Sequence, residues 1–177
     1  MDFRCVVTGR DKSGKSVVVS NGPVPPVIVA ALPGYEFRRI WGNDGTPQLP
    51  SDGTPTVQPL YFPPKGGFRF GIFTIPPATS RDPEQVGSAS ALAEITQRLP
   101  GLLDVLEADH PGMHTTNTVD FDVVIAGEVC LELDDGAEVV LKAGDCVIQN
   151  GTRHAWQNRS PHDCVVAFAL IGAESKA

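Results

Sequence analysis

The sequence has few cysteines, no excess of basic charge and no long apolar run, and each of these absences argues against a class of protein. Its 177 residues include 14 Lys and Arg against 21 Asp and Glu, for a net charge of −7. An acidic chain without a basic stripe is unlike a protein that binds nucleic acid or an anionic membrane. No apolar run approaches the roughly 18 residues that span a bilayer, and the first ten residues lack the apolar core of a signal peptide. We therefore expect a cytoplasmic protein without nucleic-acid or membrane partners.

The cysteines are too few and too widely spaced for a metal or disulfide framework. The four are Cys5, Cys130, Cys146 and Cys164, and no two have the C-x-x-C spacing of zinc or redox motifs. Three of them lie in apolar, strand-like runs. We expect them to be reduced and buried, where cysteine behaves as a small apolar residue.

Glycine and proline are abundant, with 18 and 16 residues, and most of them precede residue 112. Apolar runs alternate with them, which indicates loops and turns rather than disorder. The longest stretch without periodicity is residues 43–59, and long ordered loops of this kind often bind ligands or cover sites. The hydrophobic fraction of 41% is enough for the core of one domain.

Residues 82–110 carry the best helical pattern in the chain. Asp82 followed by Pro83 fits a helix start, with Asp82 as the N-cap and Pro83 at the first helical position. Pro100 divides the segment into two short helices. The apolar spacing predicts one buried face in each piece, made by Leu92, Ile95 and Leu99 and then by Leu102, Leu103 and Leu106.

The remainder of the chain reads as short strands. Two apolar runs near the N-terminus are joined by a Ser-Gly turn and predict a β-hairpin. From residue 112 onward there are only short apolar runs, separated by turns at Asp135-Gly136, Ala143-Gly144 and Asn150-Gly151. Strands at this spacing are typical of an all-β sandwich or barrel.

Two motifs in this half of the chain resemble those of the cupins. The second cupin motif is Gly, five residues, Pro-x-Gly, two residues, His, three residues and Asn. Here "GDCVIQNGTRHAWQN" supplies Gly144, Gly151, His154 and Asn158, with Asn150-Gly151 as a tight turn in place of Pro-x-Gly.

The first cupin motif is His-x-His, three or four residues, Glu, six residues and Gly. The stretch "HTTNTVDFDVVIAG" has the same spacing, with His114 at the first histidine and Gly127 at the glycine. Thr116 stands at the second histidine and Asp120 at the glutamate. The two motifs cover about a third of the chain.

The resemblance implies an all-β fold, the cupin double-stranded β-helix or jelly-roll barrel. It would have an N-terminal β extension and one or two short helices before the first motif. Residues 1–111 would form the extension, with a hairpin, loops and helices packed on the barrel, and residues 112–177 would carry the core barrel motifs. Together they would make one structural domain. Cupins often pair, so we expect a homodimer.

The resemblance also implies a site inside the barrel. His114, Asp120 and His154 would be its catalytic residues and the ligands of a divalent metal, which could be Fe, Mn, Zn or Ni, and strand alternation puts residues 114, 116 and 120 on one face. Asp122 shares that face and is a spare carboxylate. The alternative is a site without metal, in which the histidines act as acid and base with a carboxylate to orient them.

Four further residues are candidates to bind the substrate. Thr116 would hydrogen-bond a ligand or water, and Trp156 shares a face with His154. Arg38 and Arg69 are basic residues within aromatic strand segments and could bind a carboxylate. Packing in the core or on a solvated strand edge is the competing explanation for Trp156 and for each arginine.

These residues predict a small cupin enzyme that acts on a small oxygenated or aromatic organic acid. The chemistry would be that of a metal-dependent lyase, decarboxylase or dioxygenase. Two alternatives remain open: a metal-free dehydratase or isomerase, and a small-molecule binder without catalysis.

Overall fold

The computed structural model describes residues 1–80 and 88–175, and strands dominate it. One α-helix, α1, spans Ala89–Arg98. In chain order the strands are β1 (Arg4–Arg10), β2 (Ser16–Pro23), β3 (Glu36–Asn43), β4 (Phe68–Ile75), β5 (Thr118–Ala126), β6 (Glu128–Glu132), β7 (Glu138–Lys142), β8 (Cys146–Asn150), β9 (Ala155–Gln157) and β10 (Cys164–Gly172).

The strands form a hairpin and two larger antiparallel sheets. Strands β1 and β2 make the hairpin, a five-stranded sheet has the order β3-β4-β10-β5-β8, and a three-stranded sheet has the order β7-β6-β9. The two larger sheets share an apolar core, which contains Val124 and Val166 from one sheet and Val129 and Leu141 from the other. This arrangement confirms the predicted all-β fold with two antiparallel sheets packed face to face.

Strand β10 is the centre of the five-stranded sheet. It pairs with β4 from Cys164 opposite Ile75 to Ile171 opposite Phe68. On its other side it pairs with β5, ending at Gly172 opposite Thr118. Its buried run of apolar residues fits a strand that is covered by neighbours along its whole length.

The segment 1–111 does more than pack against the barrel. Its strands β3 and β4 belong to the same sheet as the motif-bearing strand β5. The physical reason is that β4 is an eight-residue strand whose whole length finds a partner in β10.

Strand β5 alternates between a buried and an exposed face, as its sequence predicts. Thr118, Asp120, Asp122 and Val124 are buried, while the residues between them are exposed or half-buried. Three of the four buried side chains are polar, which is unusual for the inner face of a strand. The strand therefore carries polar groups into the interior.

Helix α1 covers one end of the core, with Ile95 and Leu99 buried as predicted but with Leu92 exposed. Ser88 caps it by accepting a hydrogen bond from the Ala91 amide at 3.2 Å. Ala91, Ile95 and Leu99 are buried together with Val29, whereas Leu92 is 43% exposed. The prediction that Leu92 is buried was wrong, because Ala91, and not Leu92, lies four residues before Ile95 on the face that packs.

A second detail of the predicted helical segment differs, and one further assignment is not tested. The second piece is a single 3₁₀ turn, Leu103–Val105, rather than an α-helix. The N-cap and first helical position assigned to Asp82 and Pro83 lie outside the described residues. No helix in residues 1–80 and 88–175 has the length and apolar character needed to cross a membrane.

The two motif residues Gly127 and Asn158 support the turns around the site. Gly127 has a φ of 75°, and a side-chain Cβ there would come within 2.4 Å of the Asp163 carbonyl oxygen. Asn158 is completely buried. Its amide nitrogen donates to the carbonyls of Ile75 and His162, each at 2.8 Å, and so connects β4 to the turn before β10.

Candidate functional site

His114 and His154 form a side-by-side pair. The two residues make a β-bridge, in which each backbone amide donates to the other's carbonyl at 2.9 Å. Because opposed residues in such a bridge project to the same side, the imidazoles meet, with ring centroids 4.2 Å apart and ring planes at 51°. Two histidines that are 40 positions apart in sequence thus form one group.

Each imidazole is held by a backbone carbonyl two residues before it. Nδ1 of His114 donates to the Gly112 carbonyl at 3.0 Å, and Nδ1 of His154 donates to the Thr152 carbonyl at 2.8 Å. A carbonyl can only accept, so the hydrogen sits on Nδ1 in both neutral rings. Nε2 is therefore the basic atom of each ring, available to accept a proton or to bind a metal.

Burial keeps both rings neutral. It lowers the pKa of His154 to about 4, and the neighbouring His114 lowers that pKa further in the same direction. Burial also lowers the pKa of His114, although the Gly112 carbonyl and the carboxylate of Glu107 oppose the shift. At neutral pH the pair is uncharged, which is the state that can act as a base.

Asp120 and Asp122 bring two carboxyl groups into the interior from β5. Asp122 lies opposite Phe168 on one neighbouring strand and Val147 on the other, so it has apolar residues on both sides. Burial, followed by repulsion from Asp120, raises the pKa of Asp122 to about 8. Burial also raises the pKa of Asp120, and a hydrogen bond with Thr118 opposes this shift. Asp122 is therefore predominantly a neutral carboxylic acid at pH 7.

A cavity of about 230 Å³ lies beside Thr116 and Thr118, and neither the two histidines nor the two aspartates of β5 are among the residues that line it. It lies between the loop 60–64, residues 101–105 and the stretch Thr116–Thr118. Phe62 connects it to the histidine pair, since its ring centroid is 6.5 Å from that of His114. Thr116 and Thr118 share a hydrogen bond of 2.7 Å between their hydroxyls and border the cavity on the side of Asp120. The cavity is large enough for a small organic molecule.

The structure brings Trp156 to the histidine pair. Its ring stands perpendicular to that of His154, with centroids 6.0 Å apart, and it also packs edge-on against Phe73. Trp156 joins the edge of the apolar core as well. The predicted role of Trp156 in substrate binding stays a prediction, and packing is what its contacts show.

The structure does not bring the two candidate arginines to the histidine pair. Arg38 forms an ion pair with Glu36 at 2.7 Å, donates to the Val24 carbonyl and stacks over the Phe3 ring. It sits beneath the N-terminal segment, because its side chain follows the opposite parity of β3 from Phe37.

Arg69 is buried, but its guanidinium is already bonded to residues at and within the loop between β3 and β4. Its guanidinium donates to the carbonyls of Asn43, Leu60 and Phe68 and pairs with Asp44. These bonds use its donors to fix the ends of the loop between β3 and β4. A substrate carboxylate would have to displace them, so the arrangement gives Arg69 a structural task.

The predicted metal set is not assembled as one group. Among residues 1–80 and 88–175, no three or more His, Cys, Asp or Glu side chains are placed to hold a metal ion. His114 and His154 offer two Nε2 atoms, but Asp120 does not complete a set of three with them. The residues present therefore do not fit the predicted two-histidine, one-carboxylate centre.

One polar residue of the interior had no signal in the sequence motifs. Gln149 on β8 lies directly opposite Asp120 on β5 and is 3% exposed. The turn at Asn150-Gly151 and the alternation of β8 could have placed it on the inner face. That Gln149 faces Asp120, however, follows only from the register of β8 against β5.

Known proteins resemble parts of this chain. It is 43% identical over 83 residues to the phomopsin biosynthesis cluster proteins C′ and D of Diaporthe leptostromiformis. It is 46% identical over 67 residues to the oryzines biosynthesis cluster protein J of Aspergillus oryzae. These matches cover 44% and 35% of this chain and span only 43% and 37% of the relatives' own length. No family model matches the chain.

Solved structures with a similar fold include a cupin 2 conserved barrel domain protein from Salinispora arenicola. It is 17% identical, with a TM-score of 0.40 over 80% of each chain. A protein described as a predicted oxalate decarboxylase, from Thermotoga maritima, is 15% identical, with a TM-score of 0.44 over 84% of this chain and 92% of its own. Both likenesses are at low identity and have TM-scores below 0.5.

The raised pKa of Asp122 predicts how the stability of the Asp122→Asn variant, relative to the unmutated protein, changes with pH. The unfolded chain releases the Asp122 proton near pH 4, whereas the folded chain keeps it until about pH 8. The stability from this group is therefore complete below pH 4 and is lost as pH rises towards 8. Asp122→Asn mimics the protonated acid, so its free energy of unfolding should increase relative to the unmutated protein between pH 4 and pH 8. Urea unfolding at several pH values measures this difference.

The matched control is Asp109→Asn, which makes the same change at an exposed position. Its stability difference from the unmutated protein should be flat over the same pH range. A flat difference for Asp122→Asn as well would show that Asp122 ionises in the folded protein as it does in the unfolded chain.

Proposed function

We propose that the chain is a cupin enzyme that transfers protons on a small oxygenated or aromatic organic acid, as a dehydratase or isomerase does. The observation that carries this proposal is the histidine pair. Both Nδ1 atoms are tied to backbone carbonyls, so that two Nε2 lone pairs are directed away from the backbone. A fixed, neutral imidazole has a free Nε2 lone pair, which can accept a proton from carbon next to a carbonyl group.

The acid of such a reaction would come from β5. A base takes a proton from the substrate carbon, and an acid must protonate either the enolate oxygen or the hydroxyl group that leaves as water. Asp122 is the group suited to this step, because its buried carboxyl keeps its proton at neutral pH. His154 would thus act as the base and Asp122 as the acid. Burial lowers the pKa of the first group and raises the pKa of the second.

The names of the relatives support a biosynthetic role. Three proteins of the phomopsin and oryzines biosynthesis clusters share 43 to 46% identity with stretches of this chain. We extend this role to the chain as part of the proposal: its substrate would be an intermediate in the synthesis of a small organic compound.

A metal-dependent lyase, decarboxylase or dioxygenase is the second candidate. It is favoured by the way Nδ1 of each histidine is bound, since metal-binding histidines are commonly oriented by such a bond. His114, Asp120 and His154 would then need to move together around Fe, Mn, Zn or Ni. A binder without catalysis would use the same cavity.

Elemental analysis of protein purified without a histidine tag separates these candidates. We expect metal far below one per chain, unchanged in His114→Ala and His154→Ala. Near-stoichiometric Fe, Mn, Zn or Ni that is lost in both variants would establish the metal-dependent alternative instead.

Hydrogen exchange at carbon tests proton transfer without knowledge of the product. The protein is incubated in D₂O with a panel of small 2-oxo and 3-hydroxy acids, and proton NMR follows the loss of the C–H signal next to the carboxyl or carbonyl group. We expect at least one acid to exchange faster than in buffer, and His154→Gln to slow it by about 100-fold or more. The control is His162→Gln, at an exposed turn.

The result that contradicts the proposal is exchange that equals the buffer rate for every acid of the panel. Exchange that is undiminished in His154→Gln would equally remove His154 as the base. In either case the second candidate or simple binding would have to explain the site.

We also propose that the protein is a homodimer joined through the outer face of the five-stranded sheet. Phe121 is 47% exposed and Ile148, directly opposite it on β8, is 52% exposed. Val123, Ile125 and Ile171 extend this apolar patch along β5 and β10, and each is at least 37% exposed. A continuous apolar face of this kind is characteristic of a contact between subunits.

Light scattering coupled to size-exclusion chromatography tests the dimer. The unmutated protein should have twice the mass of one chain, and Phe121→Lys should shift it towards the monomer. Leu49→Lys makes the same change at a loop position that is 86% exposed and should leave the mass unchanged. A monomeric unmutated protein, or a dimer that Phe121→Lys does not weaken, would rule this face out.

A further inference from the structure

Two buried polar atoms of the barrel interior have no hydrogen-bond partner within residues 1–80 and 88–175. They are Nε2 of Gln149, a donor, and Oδ1 of Asp120, an acceptor. Gln149 is 3% exposed and Asp120 is 5% exposed, so bulk water does not satisfy either of them. A buried polar group that is left without a partner destabilises the folded protein.

The two atoms belong to neighbouring side chains. Gln149 on β8 and Asp120 on β5 are directly opposite each other in an antiparallel pair, where Cβ atoms are about 5 Å apart. Both residues lie on the buried face of their strands. A donor and an acceptor therefore point into the same part of the interior, yet do not bond to each other.

Local contacts hold both side chains in place. The Thr152 hydroxyl donates to Oε1 of Gln149 at 2.6 Å, which leaves the amide nitrogen as the unpaired end. Asp120 is bonded through Thr118, whose hydroxyl also contacts that of Thr116. Thr116 and Thr118 border the 230 Å³ cavity, so a molecule in the cavity lies one side chain away from Asp120.

We propose that Gln149 and Asp120 together bind an amide group of the ligand. A carboxamide or a peptide amide is planar and presents a carbonyl acceptor beside an N–H donor. Its carbonyl would accept from Nε2 of Gln149, and its N–H would donate to Oδ1 of Asp120. One group of the ligand would thus satisfy both unpaired atoms.

The surroundings favour a neutral amide over a carboxylate at this position. Oδ1 of Asp120 is an acceptor, so it can bond to an amide N–H but not to a carboxylate oxygen, which is itself an acceptor. Of the two buried arginines in the same sheet, Arg69 is bonded to the loop between β3 and β4, and Arg38 is bonded to Glu36 and the Val24 carbonyl. The inference rests on the proposed function and narrows its substrate to an organic acid that also carries an amide.

The experiment compares two probes of equal size and shape, benzamide and benzoate. Binding is followed by ¹H–¹⁵N NMR, in which the side-chain NH₂ of Gln149 has its own signals, assigned from their absence in Gln149→Leu. We expect benzamide to shift these signals in the unmutated protein in a saturable way, and benzoate to bind at least about tenfold more weakly. Neither measurement requires turnover.

Two variants and one control test the role of Gln149. Gln149→Glu keeps the shape and the contact with Thr152 but replaces the donor by an acceptor, and it should weaken benzamide binding roughly tenfold or more. Gln149→Leu should do the same while leaving the melting temperature of the free protein equal or higher, because it removes a buried donor without a partner. Gln97→Leu, on the exposed side of α1, should change neither property.

Three results would each overturn the inference. These are benzamide that leaves the Gln149 signals in place, benzoate that binds as tightly as benzamide, and benzamide affinity that is unchanged in Gln149→Glu. If this inference fails, the exchange of C–H protons still tests the proposed function independently. Conversely, absence of exchange together with Gln149-dependent benzamide binding would indicate a binder of amides without catalysis.

Discussion

The pairing of β10 on both of its sides is the interaction on which the remainder of the structure depends. Because β4 and β5 hydrogen-bond to opposite edges of β10, strand β10 connects β4 of the N-terminal segment to β5, which carries the acidic residues. The same pairing decides which side chains of β5 point inward. A shift of one residue between β5 and β10 would exchange Asp120 and Asp122 for Phe121 and Val123 in the interior.

Burial gives the acidic and the basic groups of the interior the same state, although their chemistry is opposite. It favours the neutral form of a carboxyl group by raising the pKa and that of an imidazole by lowering it. His154 and Asp122 are accordingly both uncharged near pH 7. Because both groups are neutral, they do not form an ion pair, and the interior can hold a base and an acid at the same pH. In an exposed site of the same composition the aspartate would be ionised and could not act as the acid.

Motif spacing predicted the parts of the site that depend on local structure. It identified His114 and His154 as partners and put Asp120 on the inner face, because strand alternation and tight turns follow directly from nearby residues. It did not predict the contacts of Arg38 and Arg69, since these are backbone carbonyls and side chains of loops whose paths no periodic pattern describes. Gln149 was missed for a similar reason: its unpaired amide has meaning only beside Asp120, and that neighbour is set by the register between two strands.

The loop between β3 and β4 shows what Arg69 does for the site at a distance. Its guanidinium donates to the carbonyls of Asn43, at the start of the loop, and Leu60, inside it, and so fixes the two ends of the stretch from residue 43 to residue 60. The stretch between those ends could then lengthen, shorten or change composition without disturbing the sheet below it. A change in that stretch would therefore leave the interior side chains of β5, and the chemistry they carry, unchanged.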